Sequence, residues 1–165
     1  MSCASGSTTE TLVINTGPLI AFARGGVLDE VGRLPLRFLC PTEVQEEIKQ
    51  GVTAGYPPIN PSWLSIEALT QPVSLALLAS LGAGEAAVVQ LAKEQNIPMV
   101  CIDEVKGRQV ARAMGLAVTG SLGILVRAKR FGIIGRIRPV IERMQDAGVR
   151  YNPKLVERVL AGAGE

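Results

Sequence analysis

The chain has 165 residues, of which 47% are hydrophobic and 19% are charged, and its formal net charge at pH 7 is +2. This composition predicts a folded domain with a sizeable core and excludes a mostly disordered chain. The sequence has no histidine, which excludes Ser-His and Cys-His nucleophile pairs, imidazole bases and ordinary zinc sites, so catalysis here must depend on carboxylates, lysine, hydroxyls or an oxygen-bound metal.

Short apolar runs typical of buried strands alternate with helical patterns along the chain. The predicted strands are 11–15, 36–40, 98–102 and 116–120, with a candidate edge strand at 63–69. The predicted helices are 43–50, 84–95 and 105–114, with a short helix at 74–81. Strands that are apolar on both faces and separated by helices indicate a covered parallel sheet. We therefore predict an α/β protein, a three-layer α/β/α sandwich with a central parallel sheet.

The two ends of the chain differ from this body. Residues 1–10 lack the basic and apolar segments of a signal peptide and are predicted to form a disordered tail. Residues 11–132 form the predicted domain, and residues 133–165 form a helical C-terminal extension packed on it. No apolar stretch reaches the roughly 20 residues that cross a bilayer.

Cysteine usage and charge distribution give two further expectations. The three cysteines, Cys3, Cys40 and Cys101, form no CxxC pair and are expected to be free thiols in a reducing, cytoplasmic compartment.

Residues 1–100 carry five Lys/Arg against nine Asp/Glu, a balance of −4, whereas residues 101–165 carry twelve against six, a balance of +6. The basic second part indicates either an anionic partner or a solvated basic face.

Two polar residues, Asn15 and Asp103, come directly after predicted strands. In an open parallel sheet, ligands bind outside the carboxyl ends of the strands, so both residues are candidates for a site. The alternative is structural, because an Asx side chain in a strand-to-helix turn can cap the helix that follows.

Two helices carry further candidate carboxylates. Glu85 lies on the apolar face of the 84–95 helix, where a charge is costly unless it is paired, capped or bound to metal. Its alternative role is an acidic residue in the first turn, stabilised by the helix dipole. Glu47 flanks the buried stripe of the 43–50 helix, with a solvated acidic face as the alternative. If Asn15, Glu47, Glu85 and Asp103 converge, Mg²⁺ or Mn²⁺ would stabilise the pocket and could activate water against a phosphodiester.

The segments that carry a resemblance to a known family are "VINTGPLIAFAR", "CPTEVQEEI", "GAGEAAVVQLA" and "PMVCIDEVKGRQVARAMGLAVTGSLGIL". Their order and spacing resemble a PIN domain, the metal-dependent ribonuclease fold of VapC-type toxins, and the "VTGSLGIL" segment looks closer to a separate branch of PIN-like proteins. The resemblance implies that Glu47, Glu85 and Asp103 are catalytic and hold Mg²⁺ or Mn²⁺. The family's first acid is usually Asp, whereas this chain has Asn15, whose amide oxygen can bind Mg²⁺ without adding charge.

The resemblance also implies single-stranded RNA as the substrate class. The candidate nucleic-acid-binding residues are Thr16, Arg108, Arg112, Ser121, Arg127, Lys129 and Arg130. The hydroxyl residues in this set have helix capping as an alternative role, and the basic residues have a solvated face. One Trp and two Tyr leave few candidates for base stacking.

The leading hypothesis is a toxin-like, Mg²⁺- or Mn²⁺-dependent endoribonuclease of single-stranded RNA. The alternative is a PIN-like binding or regulatory protein whose nuclease activity is weakened or lost because of Asn15. A flavodoxin- or receiver-like domain ranks below both, because no Gly-rich phosphate loop follows the first strand. Family resemblance implies a small antitoxin-like partner protein and a homodimer, for which the apolar helices 17–24 and 74–81 are candidate contacts.

Overall fold

The structure is a computed structural model, and it describes residues 8–165. Its centre is a five-stranded sheet in the order β3-β2-β1-β4-β5, in which all neighbouring strands are parallel. The strands are β1 (Glu10–Ile14), β2 (Leu36–Pro41), β3 (Leu64–Glu67), β4 (Met99–Cys101) and β5 (Ala117–Thr119). The predicted α/β class with a central parallel sheet is confirmed.

Helices connect the strands and follow the last of them. They are α1 (Thr16–Arg24), α2 (Leu28–Val31), α3 (Thr42–Thr53), α4 (Leu75–Leu78), α5 (Ala83–Glu94), α6 (Val105–Ala113), α7 (Ser121–Arg130), α8 (Arg138–Asp146) and α9 (Pro153–Gly162). Helix α5 packs on the three strands β1, β2 and β4 and contacts α3 and α6, whereas α1 contacts α2, α7 and α8. Within residues 8–165, no helix combines the length and apolarity needed to cross a membrane.

The order of the strands places a switch in chain direction at the middle of the sheet. From β1 the chain builds outward through β2 to β3, then returns to the other side of β1 for β4 and β5. Parallel sheets bind ligands in the crevice that this switch opens at the carboxyl ends of the strands. Asn15 follows β1 and Asp103 lies two residues after β4, so both flank the crevice.

The strands could be predicted from sequence because their side chains are apolar on both faces of the sheet. Leu12, Val13 and Ile14 of β1 are fully buried, as are the free thiols of Cys40 and Cys101. Burial raises the pKa of Cys40 to about 12 and that of Cys101 well above its ordinary value. These two predicted free thiols are confirmed.

Several boundaries differ from the predicted ones. The predicted tail at 1–10 lies outside the described residues up to residue 7, and Glu10 already belongs to β1. Helix α3 continues to Thr53, beyond the predicted end at residue 50. The residue that terminates it is Gly55, which takes a positive φ of 98°. The four-residue helix α2 was not predicted, since it is too short to show a helical period.

The helices of residues 133–165 pack on the sheet-bearing part of the chain. Ile137, Ile141 and Met144 of the α8 region belong to the same buried cluster as the strands. Gly25, at the end of α1, allows this close approach, because a Cβ atom there would lie 2.9 Å from the Met144 side chain. Asn152 caps α9, accepting a hydrogen bond from the Lys154 backbone N–H at 2.9 Å.

Glu165 connects the last three helices. Its carboxylate accepts hydrogen bonds from Lys129 Nζ at 2.8 Å and from the backbone N–H groups of Ile137 at 2.8 Å and Arg138 at 3.1 Å. Its side chain is only 4% exposed. Burial raises the pKa of Glu165, but these hydrogen bonds and the Lys129 charge outweigh it, so that the pKa falls from 4.5 to about 2.

We expect Glu165→Gln to lower the free energy of unfolding at pH 7 by about 2 kcal/mol, as judged from urea denaturation. Because the folded-state pKa is depressed, the stabilisation is complete above the unfolded value of 4.5 and is lost as the pH falls toward 2. The two proteins should therefore converge in stability at low pH. Glu142→Gln, an exposed position on α8, is the matched control and should change little. A pH-independent difference would contradict the prediction.

Candidate active site

Asn15 occupies the N-cap position of α1, but its side chain makes no capping hydrogen bond. The residue is only 6% exposed, and its Oδ1 atom has no hydrogen-bond partner among the described residues. Leaving a buried acceptor unpaired costs on the order of 1–3 kcal/mol. The capping interpretation of this side chain is wrong, and an unpaired buried oxygen remains at the centre of the sheet edge.

Glu47 reaches the same region from α3. One carboxylate oxygen, Oε2, accepts a hydrogen bond from Thr16 Oγ1 at 2.6 Å, and the other, Oε1, accepts one from the Gly84 backbone N–H at 3.0 Å. The Thr16 hydroxyl therefore holds a carboxylate next to Asn15 and does not cap α1. These two bonds connect α1, α3 and α5 around Glu47. By contrast, Glu46 points away and forms an exposed ion pair with Lys49.

Glu85 lies in the first turn of α5, as the sequence predicted. Burial raises the pKa of its carboxyl, and the negative charges of Glu104 and Glu47 raise it further. These carboxylates therefore lie close enough to repel one another, which is the arrangement that a cation would relieve. Glu104, at the N-cap position of α6, thus belongs to the acidic group.

Asp103 follows β4 and is held from the far side of the crevice. Its Oδ1 accepts a hydrogen bond from the Ser121 backbone N–H at 2.7 Å. Burial raises the pKa of Asp103, while the Ser121 hydrogen bonds and the Arg108 charge partly oppose this effect. Arg108 is itself fixed by a 2.9 Å hydrogen bond from Nη1 to the Ile102 carbonyl.

Ser121 also connects Asp103 to the C-terminal helices. The residue is fully buried, and its Oγ lies 2.6 Å from the hydroxyl of Tyr151, in the segment between α8 and α9. The hydroxyl of Tyr151 donates a second, longer hydrogen bond to Met144 Sδ at 3.6 Å. Ser121 does not use its side chain as a helix cap. No local pattern identifies Tyr151, because its partner lies 30 residues away along the chain.

Three glycines lie directly against the three carboxylates. A Cβ atom at Gly84 would overlap Glu47, one at Gly107 would overlap Glu85, and one at Gly120 would lie 2.7 Å from Asp103 Oδ1. Gly107 is inside α6, where glycine is intrinsically unfavourable. A glycine within a helical pattern is a sequence signal for close packing. It could have identified this contact without the structure.

Two cavities adjoin Glu47 and Asp103, whereas Glu85 and Asn15 line neither of them. A cleft of about 780 Å³ contains Asp103 and Glu104 and is lined by the basic residues Arg24, Arg108 and Arg150. A second cavity, of about 460 Å³, includes Glu47 in its wall. Both cavities share Ile20 and Arg24, so they form neighbouring parts of one groove. Of the three cleft arginines, the sequence had singled out Arg108.

The other predicted basic residues are placed differently. Arg127 forms a 2.9 Å ion pair with Glu10, at the amino end of β1 and thus the opposite edge of the sheet. Lys129 is engaged by Glu165, and both Arg112 and Arg130 are exposed. None of these four residues lines the cleft that contains Asp103.

The donor set suits a hard divalent cation. Mg²⁺ prefers oxygen ligands and typically uses only one or two carboxylates, completing its shell with water and substrate. Asn15 supplies an unpaired buried oxygen, and Glu85 and Asp103 supply desolvated carboxylates. Within residues 8–165, no three Cys, Asp or Glu side chains are grouped closely enough to hold an ion by themselves. A site that shares its ion with water and a phosphate is consistent both with these oxygen donors and with the lack of a close group of three acids.

Comparison with known proteins gives one match. A family model described as PIN domain (DUF3368) matches residues 11–165, which include the C-terminal helices and all five strands except Glu10, the first residue of β1. No curated protein and no solved structure matches the chain.

Proposed function

This chain belongs to the PIN domain family, and we propose that it is a metal-dependent endoribonuclease that hydrolyses phosphodiester bonds of single-stranded RNA. PIN domains are often nucleases that use Mg²⁺ or Mn²⁺, which makes this chemistry the first to test. The single observation that supports it best is the unpaired, buried Oδ1 of Asn15 at the end of β1. Asn15 precedes Thr16, which holds Glu47, and its backbone N–H donates to the carbonyl of Cys101 at the end of β4, two residues before Asp103.

The proposed roles follow from the contacts of each side chain. Asp103, Glu85 and Glu47 would share the cation with water and a substrate phosphate, because these side chains are not grouped closely enough to hold it by themselves, and Asn15 would be a neutral ligand or an anchor for a bound water. Thr16 keeps Glu47 in position and Ser121 keeps Asp103 in position. When bound, Mg²⁺ or Mn²⁺ supplies an activated water and neutralises the charge that develops on the phosphate.

The RNA backbone would be held by the arginines of the cleft. Arg24, Arg108 and Arg150 line the cavity that contains Asp103, and guanidinium groups bind phosphate oxygens in pairs. Such contacts are independent of base sequence and weaken as salt concentration rises. We therefore propose that RNA lies along this cleft with a phosphate near Asp103.

A second candidate function is favoured by Asn15 itself. The amide brings no negative charge to a position where family members usually have Asp, so cation affinity falls. A PIN-like protein that binds or regulates RNA without cutting it is the corresponding alternative. For either function, we propose a small antitoxin-like protein and a second copy of this chain as partners.

The deciding experiment is cleavage of a panel of end-labelled single-stranded RNAs. We expect cleavage with Mn²⁺ or Mg²⁺, none with a chelator, and recovery when Mn²⁺ is added in excess, because the acids alone repel the phosphate. Cleavage that resists the chelator would contradict the metal-dependent mechanism. Failure to cleave or to bind Mn²⁺, even after Asn15→Asp, would reject the nuclease in favour of the binding protein.

A further inference from the structure

The smaller cavity beside Glu47 has a composition different from the acidic cleft. Its volume is about 460 Å³, within the range of small-molecule sites. Apolar side chains from α1 and α3, Ile20 and Ile48, form its walls with Ile59 of the following loop. The ring of Tyr56 completes the wall and is part of a residue that is 59% exposed.

Among the described residues, Tyr56 is the one exposed aromatic side chain that lines either cavity, and Arg24 lies over one face of its ring. Phe22 and Phe38 are buried, and Trp63 packs edge-on against Phe38 and donates its indole N–H to a backbone carbonyl. Tyr151 is committed to Ser121. All of these residues, and the exposed Phe131, belong to the described part of the chain.

The exposed Phe131 cannot serve the same groove. It follows the last residue of α7, a helix of 10 residues that begins at Ser121, beside Asp103. A helix of that length spans about 15 Å. Phe131 therefore lies at the opposite end of α7 from Asp103, whereas Tyr56 shares a cavity wall with Glu47.

The backbone of Tyr56 is fixed although it lies in a loop. The Tyr56 N–H donates to the Gly51 carbonyl at 2.9 Å, and the Gly55 N–H donates to the Val52 carbonyl at 3.0 Å. Together with the positive φ of Gly55, these bonds form a Schellman motif at the end of α3. The backbone that carries the ring is thus ordered before a ligand binds, so no backbone ordering entropy is lost on binding.

The positively charged side chain of Arg24 lines both this cavity and the acidic cleft. Arg24 Cζ lies 5.9 Å from the centroid of the Tyr56 ring, within the range of a cation–π interaction. The same side chain lines the cleft that contains Asp103. A phosphate bound at Arg24 would therefore have the acids on one side and the Tyr56 ring on the other.

We propose that this cavity binds a base of the RNA strand, which stacks on Tyr56 while Arg24 holds an adjacent phosphate. The identity of the ligand as RNA rests on the proposed function. Polar groups in the wall are few, namely Glu47 and Arg24 among mostly apolar side chains. Stacking without a set of base-edge hydrogen bonds tolerates every base, so the site would fix the strand without selecting its sequence.

The test is equilibrium binding of a short single-stranded RNA that contains one 2-aminopurine, measured with Mn²⁺ present. Asp103→Asn serves as the background, so that cleavage during the measurement is at least about 100-fold slower. In this background we expect Tyr56→Ala to weaken binding about tenfold and to abolish the quenching of 2-aminopurine fluorescence that stacking causes. Tyr56→Phe keeps the ring and should preserve both. Leu75→Ala, at a side chain that is 84% exposed on α4, is the control and should change neither.

The outcomes separate this inference from the proposed function. Unchanged affinity and quenching in Tyr56→Ala, or no RNA binding by the background protein, would overturn the base site. In the first case the cavity would be open to another occupant, such as a side chain of a partner protein. Cleavage by the wild-type protein is measured separately. If it is absent while Tyr56 still controls binding, the nuclease proposal fails and the base site stands.

Discussion

Asp103→Asn is expected to reduce the rate of RNA cleavage by at least about 100-fold and to weaken Mn²⁺ binding, while leaving the fold intact. The loss follows because an amide removes the charge of the carboxylate on the β4 side of the crevice. The fold is retained because Asn keeps the Oδ1 oxygen that accepts the 2.7 Å hydrogen bond from the Ser121 N–H. Cleavage rates and Mn²⁺-dependent melting shifts measured on the same samples give both readouts.

The control for this substitution is Asp29→Asn, which makes the same chemical change at an exposed position on α2. It should leave the cleavage rate and the Mn²⁺ shift unchanged. Asp103→Asn protein that still cleaves at the wild-type rate would remove Asp103 from the reaction. If the variant instead loses its cooperative unfolding transition, the role of Asp103 is to hold β4 and α7 together.

The sheet and the general position of the site could be predicted from sequence for physical reasons. Strands buried on both faces appear as apolar runs, and helices between them require a parallel sheet. In such a sheet the carboxyl ends share one edge, so residues after the strands, Asn15 and Asp103, had to lie near each other. The helical faces of Glu47 and Glu85 then followed from a period of 3.6 residues.

Long-range side-chain contacts could not be predicted in this way. Arg127 forms its ion pair with Glu10, which lies 117 residues away, and nothing local distinguishes that arginine from Arg108. The contact between Ser121 and Tyr151 likewise depends on how the C-terminal helices pack. The sequence indicated an excess of basic residues after residue 100, but the cleft also takes Arg24 from α1.

The glycines that contact the carboxylates restrict substitution both at the glycine positions and at the carboxylates. Glu85 fits beside α6 because residue 107 has no side chain, and Asp103 fits beside the start of α7 because residue 120 has none. The carboxylates are thereby packed into protein and lose water, which is the main cause of the raised pKa of Glu85 and of Asp103. We therefore expect this site to tolerate an added negative charge only when a cation is present.

Asn15→Asp tests that consequence directly. Without metal, the new carboxylate would be buried near other acids, so we expect stability to fall by about 2 kcal/mol and the melting temperature by about 5 °C. With Mn²⁺, the added charge should tighten binding at least about tenfold and enlarge the metal-induced melting shift. The cleavage rate at limiting Mn²⁺ should rise accordingly.

Opposite effects in the absence and presence of Mn²⁺ distinguish a ligand position from a structural one. Asn60→Asp, in the exposed loop after α3, is the matched control and should show neither effect. If Asn15→Asp destabilises the protein equally with and without Mn²⁺, Asn15 lies outside the metal site and its unpaired oxygen is a cost of the fold. If Mn²⁺ restores the lost stability, position 15 belongs to a metal site, and the amide of Asn15 lowers the affinity of that site for the ion.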